Sequence, residues 1–340
     1  MKFSKVLGLT LVLVAMLIVA GCVAPVAPVS APAPAEDAAA PAESAEKTYE
    51  DLIVGFSQIG AESEWRTAET GSIKSTAEEL GVELKFSDAQ QKQENQIKAI
   101  RSFIAQGVDV IGVAPVVASG WETVFQEAKD AGIPVVLVDR EADVADDLYA
   151  TFIGSDFVWE GERACDIMAN FLEEKGNVVE LQGTVGASAA TDRMTGFAAC
   201  LEEKYPEMAI IATQSGDFTR SKGKEVMEAF LKTHGEDIQG VYAHNDDMAI
   251  GAIQAIEEYG LKPGEDVILV SIDGVKGAFE AMADGKLNAS CECNPLLGPQ
   301  FFDAALTLAN GGEVAKWIVS DESDYTMDMV TDEVLESRKY

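Results

Sequence analysis

The sequence predicts an α/β protein built as two similar doubly wound parallel-sheet lobes. Apolar, β-branched runs of strand length alternate with amphipathic segments of helix length, the pattern of buried parallel strands covered by helices on both faces. The plan is written twice, since residues 82–116 and 208–246 both run strand, polar loop, basic amphipathic helix, strand, polar end. Roughly 290 of the 340 residues take part, more than one hydrophobic core usually supports.

Taken in order, LIVGFS is a strand, followed by a helix from about Glu64, the strand VELKFSDA, a helix from Gln93, the strand VDVIGVAPV, a helix from Trp121 and the strand IPVVLVDRE. After YATFIGSD the alternation resumes with a helix through Cys165, VVELQG, a helix through Met194 and Phe197, MAIIATQSGD, a helix from Lys222, GVYAHND, a helix through Ile253, and VILVSIDG. Gly81, Gly107, Gly132, Gly176 and Gly260 follow predicted helices, where a residue tolerant of left-handed backbone ends the turn. Ligands of open parallel sheets gather at the carboxyl ends of the strands. Those ends carry Ser57, Gln58, Asp88, Asp139, Arg140, Asp217, Phe218, Asn245, Asp246 and Asp273.

The first 21 residues read as an export signal, with Lys2 and Lys5 ahead of an uncharged apolar run too short to span a bilayer. The run ends in Ile18-Val19-Ala20-Gly21-Cys22, which resembles the lipobox of bacterial lipoproteins, so Cys22 is the expected lipidation site. Residues 22–50 are mostly Ala, Pro, Ser and Glu and cannot offset their ordering entropy, so a tether is expected between anchor and body.

A formal charge of -33 opposes nucleic acid and anionic membrane surfaces as partners. Cys165 and Cys200 are left open between a bridge and two buried thiols, while Cys291 and Cys293, two apart in a strand, share a face and are poorly placed to bridge each other. The two histidines, His234 and His244, and the cysteine spacing do not suit zinc, and neither metal nor cofactor is expected. There is no G-x-S-x-G, H-E-x-x-H or dinucleotide fingerprint, and Ser221-Lys222-Gly223-Lys224 is followed by Glu225 where a phosphate loop needs Ser or Thr. An enzyme is not expected.

From about Leu52 to the C-terminus the chain resembles the type I periplasmic sugar-binding proteins. The resemblance rests on VGFSQIGAESEWRTAE, QQKQENQIKAIRSFIAQGVDVIGVAP, VVELQGTVGAS, QSGDFTRSKGKEVMEAF and YAHNDDMAIGAIQAI, strings that are like those of galactofuranose-binding members. It implies residues 51–154 with 294–321 as one lobe and 155–293 with 322–340 as the other. Hinge crossings fall near residues 154–156, 293–295 and 320–324. It implies a sugar site made of Glu62, Ser63, Trp65, Arg66, Asp139 and Arg140 from the first lobe and Arg193, Phe218, Asn245 and Asp273 from the second. The run NASCECNP departs from the family pattern, which leaves Glu292 and Cys293 open as contacts.

The residue types fit that role. A sugar offers apolar C–H faces and a rim of hydroxyls, so its site needs flat rings, as in Trp65 and Phe218, with guanidinium donors and carboxylate acceptors. The implied protein is an extracytoplasmic, lipid-anchored monomer that delivers a monosaccharide to the permease of an ABC importer. Galactofuranose is the expected sugar, ahead of ribose, arabinose and galactopyranose. The alternative partner is a sensor kinase or chemoreceptor reading the same pocket.

Overall fold

The computed structural model describes residues 46–340, and the expected signal, Cys22 and most of the expected tether lie outside them. The first lobe begins with β1 (Ile53–Gln58), α1 (Glu64–Leu80), β2 (Glu83–Asp88), α2 (Gln93–Gln106), β3 (Val110–Val113), α3 (Glu122–Asp130), β4 (Val135–Val138) and β5 (Thr151–Gly154). The chain then builds α4 (Phe157–Leu172), β6 (Lys175–Gln182), α5 (Ser188–Lys204), β7 (Glu207–Ser215), α6 (Arg220–His234), β8 (Gly240–Ala243), α7 (Asp246–Tyr259), β9 (Ile268–Asp273), α8 (Lys276–Ala283) and β10 (Ala289–Glu292). It returns for α9 (Gly298–Ala309) and β11 (Trp317–Val319), and ends with β12 (Asp324–Thr326) and α10 (Asp332–Ser337).

These strands form two six-stranded sheets, ordered β11-β5-β4-β3-β1-β2 and β12-β10-β9-β8-β6-β7. Without its edge strand each has the same order, so the repeat in the sequence is a repeat in space: β2-α2-β3 and β7-α6-β8 occupy matching places. All pairings are parallel except β12 on β10, which is antiparallel. The central strands β3 and β4 are buried along their whole length, as continuous apolar runs covered on both faces must be. The phenyl rings of Phe56 and Phe301 meet edge to face at 5.3 Å over Gly112, where a Cβ would collide with both.

Local chemistry sets the helix limits. Ser63 accepts the backbone N–H of Arg66 at 3.1 Å to start α1, and Asn245 accepts that of Met248 at 3.0 Å to start α7. Gly81, Gly107 and Gly260 end α1, α2 and α7 in the left-handed conformation. Gly176 does not end a helix: Glu173 and Glu174 take the left-handed turn after α4, and Gly176 lies inside β6. Trp121 caps α3 rather than beginning it, and α6 starts at Arg220, two residues before the expected Lys222.

The body also starts earlier than its composition suggests. Lys47 bonds through its backbone N–H to Asn310 at 2.7 Å and through its ammonium to Asp109, and residues 49–51 form a turn of 3-10 helix. Residues 47–50, expected to be tether for want of apolar side chains, are held by these polar contacts and by Tyr49, which packs against the core and bonds to Asp303. Cys165 and Cys200 form a disulfide between α4 and α5, with Cα atoms 6.3 Å apart, while Cys291 and Cys293 are free and buried.

Candidate ligand-binding cleft

In the first lobe the loop after β1 and the first turn of α1 carry Glu62, Ser63, Trp65 and Arg66, with Glu69 one turn further along. The Arg66 guanidinium is held by three carboxylates: Glu62 accepts from Nε at 3.1 Å, Glu69 from Nη1 and Asp139 from Nη2. Burial disfavours its charge, but Asp139, Glu69 and Glu62 more than offset this and hold it well above the usual arginine range. Glu69 also accepts from Gln58 at 2.9 Å, and burial pushes its carboxyl up to about 7 against the pull of Arg66.

Asp139 and Arg140 follow β4, and Asp139 sits at a φ of 64°, left-handed backbone that costs a non-glycine residue energy. Arg140 donates to the Val116 carbonyl at 3.1 Å, and its guanidinium carbon lies 5.1 Å from the centre of the Phe218 ring of the other lobe. Burial and then the neighbouring Arg66 charge lower its affinity for a proton. Its Nε–H and the Oε2 atom of Glu62 are buried without a protein partner, and such groups call for another partner.

The second lobe answers with Arg193 from α5. Its Nε donates to buried Glu160 at 2.7 Å and its Nη1 to the His244 carbonyl at 2.6 Å, while Nη2 lies 3.6 Å from Asp273. The Asn245 side chain caps α7 with its oxygen and donates to the Phe218 carbonyl at 3.1 Å, which leaves one amide hydrogen and one lone pair. Phe218 stands at φ 60° and Asp273 at φ 129°. Three lining residues thus occupy strained backbone, which persists where the surroundings over-determine it. Gly183 lies against the Phe218 ring, where a Cβ would overlap it.

All ten residues named from the sequence line one small cavity, together with Ala189 and Cys293. Cys293 thus joins the lining, whereas Glu292 turns away to Arg338 and Tyr340 at 2.8 Å each. Glu69, Glu160 and Ala189 are additions that the sequence did not suggest. Glu69 was recoverable from its place three residues after Arg66 on one helix face, whereas Glu160 comes from a helix with no local signal linking it to Arg193.

The lobes meet directly around the cavity. The backbone N–H of Ala118 donates to Gly186 O at 2.8 Å, that of Glu141 to Ser188 Oγ at 2.9 Å and that of Glu64 to Asp247 at 2.7 Å. Arg220 also pairs with Asp247 at 2.9 Å. The Trp65 indole N–H donates to the Cys293 carbonyl at 2.6 Å, tying α1 to the crossing after β10.

Residues 54–313 match the model of the periplasmic binding protein domain. The chain belongs to the periplasmic binding protein family. This binding protein is 54% identical over 292 residues to the galactofuranose-binding protein YtfQ of Escherichia coli strain K12, covering 85% of the chain and 92% of that relative. It superposes on the crystal structure of a galactofuranose binding protein with a TM-score of 0.82 at 54% identity, covering 85% of the chain and 98% of that structure. It superposes equally, with a TM-score of 0.82 at 50% identity, on the binding component of the arabinose ABC transporter from Shewanella sp. ANA-3 bound to α- and β-L-arabinofuranose, covering 84% of the chain and 95% of that structure. Membership of the family places the binding protein outside the cytoplasm. No helix among the described residues is long and apolar enough to cross a membrane.

Proposed function

We propose that this chain is the solute-binding component of an ABC sugar importer and that it encloses one furanose sugar, galactofuranose, between its lobes for delivery to the permease. The observation that carries the reading is the convergence on one small cavity of Arg66, Arg140, Asp139 and Trp65 from one sheet and Arg193, Asp273, Asn245 and Phe218 from the other. Glu62 and Ser63 complete the set. The lobes are residues 51–154 with 294–321 and 155–293 with 322–340, hinged at the three crossings. Neither half alone holds both sets of donors and acceptors, so the sugar binds the closed form far better and shifts the equilibrium toward it.

The furanose assignment draws on the relatives, whose names and bound sugars are galactofuranose and arabinofuranose. The energetics need no unusual device. Charge-assisted hydrogen bonds contribute about 1.5–3 kcal/mol net each, so three or four, less the cost of association, reach the roughly -8 kcal/mol of micromolar binding. The cavity binds and does not catalyse. In life the signal of residues 1–21 is removed, Cys22 is acylated, and a monomeric body works at the membrane surface on its tether.

Calorimetric titration of residues 46–340 with galactofuranose, galactopyranose, L-arabinose and ribose tests this. Galactofuranose should bind in the micromolar range or tighter. A pyranose bound tenfold more tightly would overturn the choice of sugar, and indifference to every monosaccharide would overturn the reading itself.

A further inference from the structure

The three crossings between the sheets meet in one partly buried cluster. Ser155, in the first, donates its hydroxyl to Oε1 of Glu322 in the third. Asn294, in the second, donates its backbone N–H to the same oxygen at 3.3 Å, and the Cys293 sulfur lies 3.3 Å from the Ser155 hydroxyl. Glu160, fully buried at the start of α4, completes the group: Glu160, Cys293 and Glu322 each bring a side-chain heteroatom within 4.8 Å of the other two. Glu160 is also the ion-pair partner of Arg193, and Cys293 lines the cavity, so the cluster adjoins the sugar site directly.

Charge does not balance there if every acid is ionised. Facing Glu322 and its neighbours are Glu160 and Arg163 from α4, Arg193 from α5, Asp273 from β9, and Ser155, Cys293 and Asn294 from the crossings. Arg163 is engaged by Asp324. Among these groups Arg193 is then the one cation shared by Glu160, Asp273 and Glu322, and two uncompensated negative charges are costly where Glu160 and Asp273 are buried and Glu322 is half-buried. Binding a proton relieves this without moving an atom of the backbone.

We propose that Glu322 and Glu160 share a proton that latches the three hinge crossings in the closed arrangement, with Glu160 as a positioning residue that ties this latch to the sugar-gripping Arg193. Burial, and then the charge of Glu160, raise the Glu322 carboxyl to about 8, and burial raises Glu160 as well. Separating the crossings would hydrate Glu322 and return it toward the ordinary carboxylate range. Closure therefore takes up a proton from solvent. Because the value is raised in the closed form, the latch is fully set below the open-form value and is lost as pH rises through about 8.

The proposal rests on closure around a sugar, and its test separates the two. Calorimetry with galactofuranose near pH ~8, in two buffers of different protonation heat, counts the protons taken up on binding. Wild-type protein should take up a large fraction of one proton and lose affinity by roughly threefold or more between pH ~7 and ~9. Glu322→Gln, which lies outside the cavity lining, should bind with neither effect while melting like wild type. No uptake in the wild type, or unchanged uptake in Glu322→Gln, which would assign the proton to Asp273, overturns the latch. A readout independent of the variant is the carbon-13 carboxyl spectrum of glutamate-labelled wild-type protein. Besides Glu69, held at about 7, a second glutamate should titrate near 8, and if no glutamate other than Glu69 titrates above the ordinary range the proposal fails. If no sugar binds at any pH, the transport reading falls, and the carboxyl titration still decides the latch.

Discussion

Arg140→Ala removes a guanidinium that spends one of its five N–H groups on the protein, the 3.1 Å bond to the Val116 carbonyl. Arg140 lines the cavity, and its Nε–H is buried without a protein partner. Two charge-assisted bonds to sugar hydroxyls would be lost at about 1.5–3 kcal/mol each, with some recovered by water entering the vacated space. A loss of at least 2 kcal/mol, or about thirtyfold in Kd, is therefore expected. The fold should tolerate the change better than Arg66→Ala would, because Arg140 is 3.7 Å or more from its two acidic neighbours while Arg66 is bonded to three carboxylates. Arg140→Lys should recover little of the loss, since an ammonium lacks the planar fork and does not stack on Phe218. Calorimetric titration of both variants with galactofuranose, alongside melting curves, separates lost grip from lost fold. Wild-type affinity in a folded Arg140→Ala would refute the placement of the sugar.

Gly183→Ala should push the Phe218 ring from its place and weaken sugar binding by several-fold with little change in melting temperature; a crystal of the variant with the ring unmoved would contradict this. Reducing the Cys165–Cys200 bridge, which spans 35 residues, should cost about 3–4 kcal/mol in urea unfolding by the loop-entropy relation, and a loss under about 1 kcal/mol would remove the bridge from the stabilising interactions. Asp246 is held at about 7, by burial foremost, while accepting from Ser271, Ser290 and the backbone N–H of Val275. Its carboxyl is raised in the folded state, so its contribution is present below the ordinary carboxylate range and lost as pH rises to about 7, and Asp246→Asn should flatten the decline in unfolding free energy between that range and pH about 7.

Much of the site is legible in the sequence because parallel strands deliver their last residues to one edge. Asp139, Arg140, Phe218 and Asn245 follow strands and Asp273 ends one, and the alternation of apolar runs marks where each strand stops. Arg193 and Trp65 are reachable only through family resemblance, since an arginine or a tryptophan within a helix carries no sign of which face meets the cleft. The edge strands β11 and β12 escape the pattern: each has three residues, too few for a period to register.

By itself, the sequence determined the alternation of strands and helices, their duplication, and the residue types at the strand ends, because these follow from local periodicity and backbone preference. Only the tertiary structure decided that Glu160 holds Arg193, that Cys165 and Cys200 meet, and that Ser155, Cys293, Asn294 and Glu322 share one cluster. Those partners lie far apart along the chain or on helices of unmarked orientation. Their energies come from exclusion of water and close approach of charge, and neither exists until the two sheets have folded and come together.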